Sequence, residues 1–297
     1  MNRLRPFTYY EPRTLKDGIE IAASGERGTY FLAGGTDLFV RMKRGLISPS
    51  ALINLKGIQG LNRIERDGKG GLCIGPLTRI SEIERSPLVL SHHPVLAQAA
   101  GGLGSPSIRN LATVGGNIGR ASPASDIAPS LMVLQARATL EGPQGKKEVD
   151  MARLFSGIGI TALSKAEIIT SFLIPAAKPH TETVYLRLGR RQGMDCCLVG
   201  VAASLTLVDG KGEAIEARIA LASVGPAPLR AKMAEKALLA GPLTDERIRE
   251  SARLAGEECF PITDLRATGS YRKEMIRVLT HRALLRAVQS LRGEKEK

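Results

Sequence analysis

Twice along this chain a pair of adjacent glycines is set among small polar residues, and this recurrence constrains the fold more than any other feature. The first is Leu32-Ala33-Gly34-Gly35-Thr36-Asp37-Leu38, and the second is Thr113-Val114-Gly115-Gly116-Asn117-Ile118. Tyr30 to Ala33 reads as a short buried strand that runs straight into Gly34-Gly35. A strand ending in paired glycines turns sharply and leaves amide N–H groups pointing outwards, a concave nest that suits phosphate oxygens. Thr36 adds a hydroxyl donor there. Such a loop, taken alone, is equally an ordinary tight turn with a polar cap. The second segment repeats the device and is followed by Ser122-Pro123-Ala124-Ser125-Asp126. Asn117 both donates and accepts, and Asp126 offers an acceptor to a ribityl or ribose hydroxyl. By itself this segment is also a plain surface loop. Two nests in one domain match the two phosphates of a dinucleotide.

The dinucleotide fingerprint of the doubly wound fold is missing from both places. GxGxxG at a strand-to-helix turn, with an acid about 20 residues on, occurs at neither loop. Gly102-Leu103-Gly104 comes nearest, but it follows a predicted helix instead of a strand. A nucleotide-binding fold of another kind is required.

Periodicity and turn chemistry fill in the rest. Ala51 to Leu55 is a second apolar run, and Leu61–Glu65 with Gly71–Gly75 flank Asp67-Gly68 as a hairpin. Thr78 to Glu84 has the caps and acids of a helix start. Leu96 to Gly102 reads as an alanine-rich helix whose closing glycines give a left-handed end. Ser105 to Asp126 is too rich in Gly, Ser, Pro and Asn for regular structure, and loops of about 20 residues are kept mainly for function. Leu131 to Leu140 is apolar again, ending at a Gly142–Gly145 turn. A domain boundary is predicted near Pro175-Ala176-Ala177-Lys178-Pro179. Beyond it come two long strands, Leu198–Val208 and Ile215–Val224, joined by Asp209-Gly210-Lys211-Gly212. Helices over Arg230–Ala240, Thr244–Cys259 and Tyr271–Leu291 follow. The fold class is α+β.

Composition narrows the chemistry. No apolar run approaches the roughly 20 residues of a membrane-spanning helix, and Met1 to Phe7 has no apolar stretch behind it, so a cytoplasmic protein is expected. The four cysteines, Cys73, Cys196, Cys197 and Cys259, contain no CxxC pair, and there are only four histidines. Neither a zinc nor an iron–sulfur site has its ligand spacing, so no metal is expected and any redox chemistry falls to an organic cofactor. The net charge of +13 fits nucleic acid, an anionic cofactor or an acidic partner. Its Lys and Arg are spread along the chain without interleaved aromatics, which argues against nucleic acid.

The two glycine segments, with Ser122-Pro123 and Ser125-Asp126, resemble the FAD-binding medium subunits of molybdenum hydroxylases, found in xanthine dehydrogenase-like and carbon monoxide dehydrogenase-like enzymes. The likeness runs nearly end to end. Phe7 to Pro12 looks like the family's opening and Ser107 to Asn110 precedes the second loop as expected. Tyr185 to Arg191 is similar to the start of its C-terminal domain, and Tyr271-Arg272 to its last helix. The resemblance implies a vanillyl-alcohol-oxidase (PCMH)-type FAD-binding domain of two α+β subdomains over 1–176. A smaller α+β C-terminal domain of the carbon monoxide dehydrogenase flavoprotein type follows over 180–290. FAD is the implied cofactor. Leu32, Ala33, Gly34, Gly35, Thr36, Asp37 and Leu38 would line its pyrophosphate and approach the flavin. Thr113, Gly115, Gly116 and Asn117 would hold the other side, and Asp126 would bind a ribityl or ribose hydroxyl. Leu103 stands where some relatives place an aromatic residue near the adenine, and Ile169 would give an apolar contact. Relatives similar to 4-hydroxybenzoyl-CoA reductase carry a cysteine-bearing insert for a four-iron cluster; this chain has none, and no cluster is expected.

The implied function is electron transfer in a molybdenum hydroxylase. The partners would be a molybdopterin-binding large subunit and a small subunit with two [2Fe–2S] clusters, in a heterotrimer that itself dimerises. Electrons would pass from the small subunit by way of FAD to an external acceptor. No catalytic acid, base or nucleophile is then needed, and Asp195, Cys196 and His180 read as structural. Two alternatives stand beside this. A self-contained FAD oxidoreductase needs a proton acceptor at the flavin, and the second loop shows no obvious His or Tyr for it. A non-catalytic nucleotide-binding module would bind no flavin.

Overall fold

Short strands separated by a capped amphipathic helix make residues 8–54 a parallel sheet. In the computed structural model, which describes residues 4–25, 28–191, 193–208 and 212–293, β1 (Thr8–Tyr10) and β2 (Thr29–Leu32) flank β3 (Ala51–Asn54) and pair with it in parallel. Parallel strands need crossover connections. α1 (Leu15–Ser24) supplies one, capped by the Thr14 hydroxyl, and α2 (Leu38–Lys43) lies in the next. β3 is buried throughout, whereas β2 buries only Leu32. The expected buried strand is thus a half-buried one, because it sits at the sheet edge.

The next layer is antiparallel. β4 (Ile64–Arg66) and β5 (Leu72–Ile74) form the expected hairpin, in which Asp67 Oδ1 accepts from the amides of Lys69 and Gly71 at 2.8 Å. A helical stretch follows: α3 (Ile80–Arg85), α4 (Pro87–His92), α5 (Pro94–Gly102), α6 (Pro106–Arg109), α7 (Val114–Arg120) and α8 (Ile127–Val133). β6 (Arg137–Gly142) and β7 (Gly145–Asp150) turn at Pro143-Gln144, the small hairpin β8 (Phe155–Gly157) and β9 (Ile160–Thr161) follows, and β10 (Ile168–Ile174) closes the sheet. Its order is β4-β5-β10-β6-β7.

Two expectations fail here for physical reasons. Residues 105–126 are not irregular, since α6 and α7 occupy much of them. The Ser105 hydroxyl accepts from the Ile108 amide at 3.3 Å, and Pro106 stands at the first helical position. Thr113 caps α7 in the same way. Caps and a pre-set proline dihedral outweigh poor intrinsic propensity over a single turn. Nor do Gly101 and Gly102 give α5 a left-handed end; the left-handed residue is Gly104, at φ +54. Gly102 makes room instead, because a Cβ there would lie 2.9 Å from Arg187 Cδ.

The last part is a four-stranded antiparallel sheet in chain order: β11 (Thr181–Leu188), β12 (Val199–Leu207), β13 (Ala214–Ala222) and β14 (Leu229–Arg230). The predicted turn at Asp209-Gly210-Lys211, like Met1 to Arg3, lies outside the described residues. Strand alternation gives this sheet two buried faces. Val199, Val201, Leu205, Ile219 and Leu221 meet α9 (Lys232–Leu238), α10 (Asp245–Glu257) and α11 (Gly269–Arg292). Tyr185, Ala202 and Ala220 join the core of the five-stranded sheet, against α5 and α8. Thr244 and Thr268 cap α10 and α11, so α11 starts two residues before the predicted Tyr271. Among the described residues no helix is long and apolar enough to cross a membrane.

Candidate functional site

The first glycine segment leaves the sheet at Leu32, which is 2% exposed. Gly35 takes φ +75, a left-handed conformation at ease only for glycine, and the chain reverses into α2. Among the described residues nothing accepts a hydrogen bond from the amides of Gly34, Gly35, Thr36 or Asp37. Four successive donors with no partner inside the protein are the raw material of an anion nest.

The second segment is built differently. Its amides are already engaged: Val114 donates to Thr78 O at 3.0 Å, Gly115 to Pro76 O at 2.8 Å and Asn117 to Thr113 O at 2.9 Å. Gly116 donates to the Thr113 hydroxyl at 3.1 Å. The predicted outward-pointing amides of this segment are therefore absent, because helix α7 and residues 76–78 consume them. Its glycines are needed for closeness instead. A Cβ at Gly115 would stand 2.7 Å from Pro76 O.

The two segments meet. A Cβ at Gly34 would collide with the Leu111 carbonyl oxygen and lie 2.9 Å from Ala112 Cα, and one at Gly116 would reach Ala33 Cβ at 3.6 Å. Asp37 Oδ2 accepts from Arg120 Nε at 2.7 Å, joining the first loop to the last turn of α7. That ion pair is half exposed and screened, so it positions more than it stabilises.

The other predicted residues lie around this junction. Asn117 Oδ1 accepts from the Ser125 hydroxyl at 2.6 Å, leaving its Nδ2 as a donor. Asp126, 5% exposed, accepts through Oδ1 from Tyr185 Oη at 2.8 Å and Arg187 Nε at 3.0 Å. Burial pushes the Asp126 carboxyl above the ordinary carboxylate range, and the Arg187 charge and Tyr185 hydroxyl hold it back. Burial likewise drives the Tyr185 phenol well up, with Cys197 and Asp126 adding to the shift. Leu103, half-buried, and Ile169, 6% exposed on β10, both pack into the core of the five-stranded sheet. The partners Arg120, Tyr185 and Arg187 escape the sequence reading because each pairs across more than fifty residues. The one local signal for two of them is the charged Tyr185–Arg191 segment at the start of the C-terminal part. Asp195, read as structural, is buried and accepts from the Arg190 amide.

The described residues suit an elongated anionic cofactor: an open amide nest, a glycine wall facing it, and an unpaired side-chain amide at Asn117. Comparison with known proteins agrees. The FAD-binding domain family of molybdopterin dehydrogenases matches residues 5–177, and the carbon monoxide dehydrogenase flavoprotein C-terminal domain family matches 184–287. The glyceraldehyde dehydrogenase medium chain of Sulfolobus acidocaldarius is 31% identical over 93% of this chain and 96% of its own length. The carbon monoxide dehydrogenase medium chain of Hydrogenophaga pseudoflava is 30% identical over 94% and 96%. Among solved structures, a carbon monoxide dehydrogenase of that organism lacking the Mo-pyranopterin moiety superimposes with a TM-score of 0.93 at 31% identity, covering 98% of this chain and 99% of the other. Quinoline 2-oxidoreductase of Pseudomonas putida 86 does so with a TM-score of 0.89 at 25% identity, over 98% and 99%.

Proposed function

Because the chain belongs to the family of FAD-binding subunits of molybdenum hydroxylases, we propose that it grips one FAD between its two glycine segments while serving as an electron-transfer subunit. The observation that carries the placement is the run of four amides from Gly34 to Asp37, unpaired among the described residues, facing a glycine wall at Gly116. Gly34, Gly35, Thr36 and Asp37 would donate to the diphosphate, flanked by Leu32, Ala33 and Leu38. Thr113 and Gly115 hold α7 so that Gly116 and Asn117 face that loop. Asp126 would reach a ribityl or ribose hydroxyl through Oδ2, since its Oδ1 is taken. Leu103 and Ile169 would supply apolar contacts. FAD supplies the exchange of single electrons and of electron pairs.

The chain's own residues bind and orient, and none is arranged as an acid or base. Tyr185, the tyrosine brought to the second loop's tail, stays protonated and donates to Asp126. That argues against a self-contained oxidase. The proposed division is 1–176 for the FAD-binding domain and 180–290 for the C-terminal domain. Relatives named as medium chains and subunits come from multi-subunit enzymes. For this chain we extend that to a molybdopterin-binding large subunit and a small subunit with two [2Fe–2S] clusters, in the cytoplasm. Phe260, Ile262 and Leu265, all strongly exposed, are apolar surface of the kind that partner chains cover.

Purification through a tag on this chain tests both levels. The expected preparation releases about one flavin per chain and carries iron and molybdenum. A folded chain that takes up no flavin when FAD is added sinks the cofactor assignment; a yellow chain without iron or molybdenum sinks only the assembly.

A further inference from the structure

The ends of β10 and β11 remote from the glycine segments border a cleft of about 210 Å³. Residues alternate along β11, so Thr181, Thr183, Tyr185 and Arg187 share one face. At the Arg187 end this face meets Asp126. Six residues away, roughly 20 Å along the strand, it changes character. Thr183, Ser204 and Arg218 stand opposite one another across three strands, as do Thr181, Thr206 and Glu216. The hydroxyls are linked, Thr183 Oγ1 donating to Ser204 Oγ at 3.2 Å and Thr181 Oγ1 lying 2.8 Å from Thr206 Oγ1.

Arg218 sits mid-sheet with its side chain only 12% exposed. Its one side-chain hydrogen bond among the described residues goes from Nη2 to Glu216, and its remaining donors are left on the cleft wall. Lys178, which also lines the cleft, uses the same Glu216 carboxylate. One carboxylate therefore serves two cations on this face, and the carboxylate of the other acidic residue bordering the cleft, Glu182, turns away to accept from the Ser290 hydroxyl. His93 also lines the cleft. It is 2% exposed, and among the described residues both ring nitrogens lack a hydrogen-bond partner. The Pro175 carbonyl is close enough to favour its charged form slightly, but without hydrogen-bonding geometry; burial dominates and lowers its pKa to about 4. A buried imidazole with no partner is costly. Gln135, on the same wall, holds φ +56 just after α8, a position where glycine is at ease. A side chain kept there at a backbone cost points to use of its amide.

We propose that this interdomain cleft is a binding site for a small oxyanion, a carboxylate or phosphate group, held by Arg218, Lys178 and the Ser204 hydroxyl, whose own hydrogen stays free because Thr183 donates to it. Arg218 and Lys178 each keep donors that Glu216 does not use, which selects an acceptor-rich, negatively charged ligand. The volume falls below the roughly 300–1,000 Å³ of pockets for larger molecules. The site is independent of the flavin reading and is bordered by residues from both sides of the 175–180 connection, so occupancy ties the two sheets together.

The test is thermal unfolding of the FAD-loaded chain, with potassium chloride replaced by potassium phosphate or potassium malonate at constant ionic strength. Filling the flavin site first keeps phosphate out of it. The expected result is a rise in Tm of about 2 °C or more with one or both anions, lost in Arg218→Gln and reduced in Ser204→Ala. Which anion raises Tm more identifies the group. The His93 ring resonances should move during the same titration in the wild-type chain, a readout that needs no variant. Equal Tm in chloride and in both anions, or an undiminished rise in folded Arg218→Gln, overturns the proposal. So does a titration that leaves the His93 resonances still.

Discussion

The two glycine segments look alike in sequence and do opposite things. Around Gly34-Gly35 the chain turns with Gly35 left-handed, and among the described residues nothing accepts from the amides of Gly34 to Asp37. Around Gly115-Gly116 every amide from Val114 to Asn117 is spent inside the protein, on Thr78, Pro76 and Thr113. A glycine pair reports only that a Cβ is unwelcome. Whether the reason is a ligand or a neighbouring backbone depends on what lies opposite. The first segment is a nest; the second is a capped helix whose bare glycines let the nest come close.

Gly34→Val breaks this arrangement most severely. Its Cβ would strike the Leu111 carbonyl, and both Leu111 O and Ala112 Cα belong to the backbone leading into α7. Backbone cannot rotate aside as a side-chain tip can. The expected loss is about 3 kcal/mol or more of stability, together with loss of flavin. Urea unfolding and the flavin-to-protein absorbance ratio after gel filtration would show it. A variant of wild-type stability that retains its colour means that the two segments do not touch as described.

This contact also marks how far the sequence could be read. Local chemistry was legible: Asp67-Gly68 makes a hairpin, Thr244 caps α10, and Gly34-Gly35 makes a sharp left-handed turn, since each is settled within a few residues. The helices α6 and α7 were not, because glycine content was weighed and the Ser105 and Thr113 caps were not. Nothing local announced that Gly34 packs on residue 111, that Gly102 makes way for Arg187, or that Asp126 would be claimed by Tyr185. Those facts belong to pairings across many residues, which spacing along one chain does not encode. The end-to-end family resemblance carried the α+β architecture further than periodicity did.

Gly116→Val separates the wall's two duties. Its Cβ would lie 3.0 Å from the capping Thr113 hydroxyl and 3.6 Å from Ala33 Cβ, and the position is exposed. The fold should absorb it at a cost of about 1 kcal/mol, while the added methyls fill the gap towards the first loop. Flavin affinity should fall at least ~10-fold, equivalent to about 1.4 kcal/mol. Equilibrium dialysis against FAD measures it. Unchanged affinity in the folded variant would remove the second segment from the cofactor site and leave the first to act alone.

Thr113→Val gives the smallest effect and the sharpest contrast. Valine keeps the shape of threonine but cannot accept from the Gly116 amide, so α7 loses its cap. The freed amide stands at an exposed glycine where water can reach it, which limits the loss to about 1 kcal/mol. If the second segment serves by shape and not by its donors, flavin stoichiometry should stay at the wild-type value while Tm falls by a few degrees, about 2–4 °C. A gain in flavin affinity would mean that the released Gly116 amide had found the cofactor, and that the cap had been holding back a second nest.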